Sequence, residues 1–72
     1  MNKESFAFVV YMIHAVANKF NKRPSEVYGL LTKCDCINDY LVPFYDVLHT
    51  QSTSYVLEDI VEYLERRGVK IW

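Results

Sequence analysis

Apolar residues recur along this chain at helical spacing in four runs, and two glycines and two prolines leave little turn material for an all-β fold of many short strands. The first run predicts a helix from about Lys3 to Phe20, capped by Asn2, with Glu4 against the positive end of the helix dipole. At 100° per residue, Phe6, Val9, Val10, Ile13, Ala17 and Phe20 fall on one stripe. Phe8, Tyr11, Met12 and Ala15 form a second stripe across the helix. A helix that is apolar on both sides must be covered on both sides. It is expected to be the centre of the domain or a subunit contact, and the second option makes a homodimer a candidate assembly.

Pro24 ends the break Asn21-Lys22-Arg23 and suits the first position of a second helix, where its missing N–H costs nothing. That helix should reach about Lys33 and bury Val27, Leu30 and Leu31, with Tyr28 beside them. Gly29 within it either costs about 1 kcal/mol of helix propensity or marks a close helix crossing. Cys34-Asp35-Cys36 forms the next turn. A third helix is predicted from Ile37 or Asn38, kinked or split at Pro43, with Val42 pushed toward extended geometry. Its expected buried residues are Tyr40, Leu41, Phe44, Tyr45, Val47 and Leu48.

Ser52 or Thr53 can cap a fourth helix running from Thr53 to about Arg67. Val56, Leu57, Ile60, Val61, Tyr63 and Leu64 make its apolar face, and Glu58, Asp59, Glu62 and Glu65 the other. Arg66 and Arg67 fill the last turn and Gly68 supplies the stop. Val69-Lys70-Ile71-Trp72 reads as a short extended tail unless Ile71 and Trp72 dock. The pattern predicts an all-α protein: a compact bundle of about four helices forming a single domain over residues 1–72, the third helix kinked or split at Pro43.

Composition narrows the class. Seventy-two residues lie near the lower limit for a self-sufficient core, while 51% hydrophobic and 24% charged residues exclude a disordered chain. The apolar run Phe6 to Ala17 contains His14 and falls short of the ~20 residues a membrane span needs. No membrane segment and no secretory leader are expected, and the two cysteines read as reduced thiols of a cytoplasmic protein. The net charge of −1 conceals an asymmetry: from Cys34 to Glu65 there are seven acids and no Lys or Arg. Bases gather instead at Lys19, Lys22, Arg23 and Lys33, and at Arg66, Arg67 and Lys70.

Three chemistries can be weighed against ordinary structural roles. A zinc site would need Cys34, Cys36, His14 and His49, but one residue between the cysteines is fewer than zinc motifs use. A Cys-His nucleophile would set His49 and Asp46 behind Cys34 or Cys36, yet Asp46 and His49, three apart, make a simpler surface pair, and no oxyanion cradle adjoins them. A helix-turn-helix regulator would use helices two and three, but the recognition helix would carry Asp39 and Asp46 and no base for phosphates. No catalytic set, metal or cofactor is expected. The acidic face of helix four is the most informative surface: Glu58, Asp59, Glu62 and Glu65 repel one another without interleaved Lys, which suits a basic partner.

The segments P-S-E-V-Y (24–28), C-I-N-D-Y-L-V-P (36–43), Y-D-V-L-H-T-Q (45–51) and Y-V-L-E-D-I-V-E-Y-L (55–64) resemble a family of short bacterial proteins of unknown function. The resemblance covers nearly the whole chain. Its most distinctive part is Y-D-x-L-H-T, here Tyr45, Asp46, Leu48, His49 and Thr50. Where that pattern has a small residue capping P-S-E-V-Y, this chain has Arg23. Members often lie beside a gene for an ADP-ribosyltransferase-like protein, so the resemblance implies a paired, toxin–antitoxin-like arrangement, and it assigns no catalytic residues. The expectation is a non-enzymatic protein-interaction module, contacting its partner through Phe8, Tyr11 and Met12 of helix one and Glu58, Asp59, Glu62 and Glu65 of helix four. The alternative is the helix-turn-helix DNA-binding regulator.

Overall fold

The computed structural model describes residues 2–71. Helix α1 (Lys3–Phe20) starts where the Asn2 side chain accepts the Ser5 amide at 2.7 Å. It ends at Asn21, whose φ of 54° is left-handed and lets the Lys22 amide donate back to the Ala17 carbonyl. Helix α2 (Pro24–Lys33) has its proline in the first turn, and Arg23 before it makes no side-chain cap. Helix α4 (Thr53–Arg66) is capped by Ser52, whose hydroxyl accepts the Tyr55 amide at 3.1 Å. It closes in a Schellman turn: Gly68 donates to Glu65 and Val69 to Leu64, with Gly68 at φ +74°.

The region expected as one kinked or split helix is two separate segments, giving five helical segments among the described residues instead of four. A π-helical turn covers Ile37–Leu41, with the Val42 amide reaching back five residues to the Ile37 carbonyl at 2.9 Å. A turn through Val42, Pro43 and Phe44 leads into the single-turn helix α3 (Tyr45–Leu48). The break falls at Pro43 because that residue has no N–H to extend the ladder. Val42 was expected to be extended but is α-helical at φ −75°, ψ −51°, held by its bond to Ile37 and by packing on the core. Phe44 and Val47, expected inside, are exposed: Phe44 lies in the turn before α3, and a helix of one turn buries a single residue, Leu48.

Helix α1 is the centre: α2, α4 and the π-helical turn all pack on it. Its buried arc is Ser5, Val9, Met12, Ile13, Val16 and Ala17, an i, i+4, i+7, i+8 series rotated from the expected stripe. Phe6 therefore lies on the outside at 60% exposure. Met12, expected on a partner-binding face, is fully buried, and Phe8 beside it is half-buried. Met12 is thus covered within one chain, while Tyr11 and Phe6 of the same helix stay more than half exposed. Val27 and Leu31 of α2, Leu41 of the π-helical turn, and Val56, Ile60 and Leu64 of α4 complete the core. The tail docks: Ile71 is fully buried, while Trp72 lies outside the described residues. The radius of gyration, 11.0 Å, matches the ~11 Å of a fully packed chain of this length.

Candidate functional site

The four carboxylates of α4 sit in three different situations. Asp59 is half-buried and accepts a 2.8 Å hydrogen bond from the Tyr40 hydroxyl, which ties α4 to the π-helical turn. Glu62 is exposed and pairs with Arg66 at 2.6 Å, one turn on. The Glu58 and Glu65 carboxylates are exposed and make no hydrogen bond or ion pair among the described residues. The expected uniform acidic face is therefore two free carboxylates, one neutralised, and one built into the fold.

On the side of Asp59, an aromatic stack covers the helix. The Tyr40 and Tyr63 rings lie 5.6 Å apart and nearly parallel, and the Arg67 guanidinium caps the Tyr63 ring at 3.6 Å. Burial, and then the bond to the Asp59 carboxylate, raise the Tyr40 phenol above its ordinary value of 10. The Tyr63 hydroxyl oxygen is buried without a partner among the described residues, and loss of water raises its pKa too, against the opposing pull of Arg67. Beneath them, burial pushes the Cys36 thiol up to about 12, so it behaves as a small apolar group and not as a nucleophile. Cys34 points its S–H toward the Leu30 and Leu31 carbonyls of its own helix.

On the other side, Glu58, Glu62 and Glu65 rim a shallow groove of about 420 Å³ floored by Phe20, Leu57 and Val61, with Lys19 at its edge. This joins an apolar floor to an acidic rim. The spacing of the glutamates is visible in the sequence; the floor is not, because Phe20 comes from α1.

Tyr11 is 55% exposed, yet its hydroxyl shares a 2.7 Å hydrogen bond with Thr53 at the start of α4. The Tyr45–Thr50 segment is locally self-contained. Tyr45 meets Phe8 edge-on at 5.5 Å and stacks on His49 at 4.6 Å. His49 Nδ1 donates to the Tyr45 carbonyl at 2.8 Å, and the Thr50 hydroxyl donates to the Val47 carbonyl at 2.7 Å. Leu48 is buried and Asp46 is exposed, so Y-D-x-L-H-T closes α3 by satisfying its last carbonyls. His14 similarly turns Nδ1 onto the Val10 carbonyl of its own helix at 2.9 Å. Among the described residues no three of His, Cys, Asp or Glu are grouped as metal ligands, and no helix is long and apolar enough to cross a membrane.

These features define a small all-α domain whose surface chemistry is concentrated on its last helix. Residues 7–67 match the family model described as "Protein of unknown function (DUF3791)", and the chain belongs to that family. The match runs from the first turns of α1 to the end of α4. No curated protein and no solved structure matches the chain.

Proposed function

We propose that this protein is a non-enzymatic interaction module that holds a basic segment of a partner protein along α4. The observation that carries the reading is the groove in which Glu58, Glu62 and Glu65 border Phe20, Leu57 and Val61. A segment presenting apolar residues between Lys or Arg would bury its apolar side chains on the floor and meet carboxylates at the rim, which steers docking and fixes its register. The Glu58 and Glu65 carboxylates have no partner among the described residues to give up on binding. The family resemblance points to an ADP-ribosyltransferase-like neighbour, in a toxin–antitoxin-like pair, as the first protein to test. DNA binding is the weaker reading: the segments following α2 are short and carry Asp39 and Asp46.

The test is binding of that purified neighbour to wild type and to Glu58→Lys/Glu65→Lys. The double variant should bind at least tenfold more weakly, and wild-type binding should weaken as salt rises. Equal affinity of the two, with the variant's fold intact by circular dichroism, would remove the groove from the interface.

A further inference from the structure

A second cavity, away from the α4 surface, opens between α1, α2 and the π-helical turn. It measures about 380 Å³, at the small end of the ~300–1,000 Å³ typical of organic ligand sites. Val10, Ile13 and Ile37 line it with apolar surface. Phe6 and Tyr28 also line it, and each is more than half exposed, so ring surface is open to an incoming group.

The polar groups are few, and one of them is charged. Asp35 lines the cavity at the turn after α2, held at φ 59°, and its carboxylate makes no hydrogen bond or ion pair among the described residues. Thr32 and Asn38 add neutral polar atoms. Among the described residues no Lys, Arg or His lines the cavity, which disfavours phosphates, carboxylates and nucleotides. An unpaired carboxylate beside two aromatic rings complements a cation carried on an apolar body.

We propose that this groove is a binding site for a small organic ammonium ion, its apolar part against Ile13 and Ile37 and its charge held by Asp35 and the rings of Phe6 and Tyr28. The site is independent of the α4 groove. A partner helix would need a longer track of anchors spaced over several turns, which a compartment of this size does not supply.

The probe is 2-phenylethylammonium, titrated into the full chain and followed by backbone amide NMR, with neutral 2-phenylethanol and anionic phenylacetate as comparisons. The ammonium should shift the amides of Phe6, Ile13, Tyr28 and Asp35, the alcohol should shift them more weakly, and phenylacetate least. Asp35→Asn should lower the ammonium's affinity by about five- to tenfold and leave the alcohol's unchanged. Asn tolerates the left-handed backbone at this position, so the variant should keep its fold, which its spectrum checks directly. Four results would overturn the proposal: no shift at the four amides, equal affinity for phenylacetate, an unaffected Asp35→Asn variant, or equal shifts at Glu58 and Glu65, the mark of a general attraction of cations. Concentration-dependent shifts of the same amides without any probe would place a second copy of the chain in the groove and equally overturn it.

Discussion

The two glycines of this chain should respond to alanine with opposite signs, and the backbone alone decides which. At both Gly29 and Gly68 an added Cβ would meet no atom within 4 Å, so neither substitution creates a clash. Gly29 lies inside α2 with ordinary helical φ, on the exposed side. Alanine there gains helix propensity and narrows the unfolded ensemble, together about 0.5–1 kcal/mol. Gly68 sits at φ +74°, where a Cβ costs roughly 1–2 kcal/mol, and the Schellman turn it completes carries Val69 onto the core. With an unfolding entropy of about 2.1 cal/mol/K per residue, these changes correspond to a Tm rise of about 3–7 °C for Gly29→Ala and a larger fall for Gly68→Ala. Thermal unfolding followed at 222 nm, with urea midpoints as a second measure, reads both. A destabilised Gly29→Ala would refute the reasoning, because it would mean that α2 is crossed closely at Gly29 by something the single chain does not contain.

The tyrosine pair beside α4 should also split. Tyr40→Phe removes the bond to half-buried Asp59 and should cost about 1 kcal/mol, whereas Tyr63→Phe removes a buried hydroxyl that has no partner and should leave the urea midpoint equal to or above that of wild type. Alkaline titration is the third expectation. The folded Cys36 thiol, at about 12, lies above its ordinary 9, so the folded state holds this proton more tightly than the unfolded state does. The resulting stabilisation is complete below pH 9 and is lost as pH rises toward 12, by at most ~1.4 kcal/mol per pH unit for one proton. Raised Tyr40 and Tyr63 phenols add to the loss above pH 10. Cys36→Ala should flatten the urea-midpoint profile between pH 9 and 10, and an unchanged slope there would exclude the thiol as its source.

What was legible in the sequence follows the chemistry of helix ends. Asn2, Ser52 and Gly68 act locally, through bonds to amides and carbonyls a few residues away, and Pro24 through its fixed φ, so α1, α2 and α4 begin and end within a residue of where those signals place them. Around Pro43 two local rules compete with packing. The proline does interrupt the helix, but Val42 stays helical because its amide finds Ile37 and its side chain finds the core. The face of α1 was not legible because apolar residues surround the whole helix; Ser5 and Val16 join the buried arc and Phe6 leaves it. On α4 the glutamate spacing was visible, but the pairing of Glu62 with Arg66, one turn on, was not read from it. The separate role of Asp59 depends on Tyr40, nineteen residues away, and no local pattern reveals it. The same holds for the groove that brings Phe6, Tyr28 and Asp35 together from three parts of the chain.

The docking of Ile71 and the enclosure of Met12 have a consequence for how binding relates to stability. Both side chains are fully buried within one chain, so the core closes without help from a second molecule. A partner of the kind proposed would therefore add to a finished domain instead of completing it. The Glu58 and Glu65 carboxylates on one surface, and that of Asp35 on the other, are exposed and make no hydrogen bond or ion pair among the described residues, so Glu58→Lys, Glu65→Lys and Asp35→Asn, the last keeping a residue that tolerates φ 59°, should leave folding nearly untouched. Asp59 differs, since its partner Tyr40 anchors the π-helical turn to α4, and its substitution perturbs fold and surface together. Binding losses at Glu58, Glu65 or Asp35 can thus be read as contact losses, whereas a loss at Asp59 cannot be separated from a loosened fold.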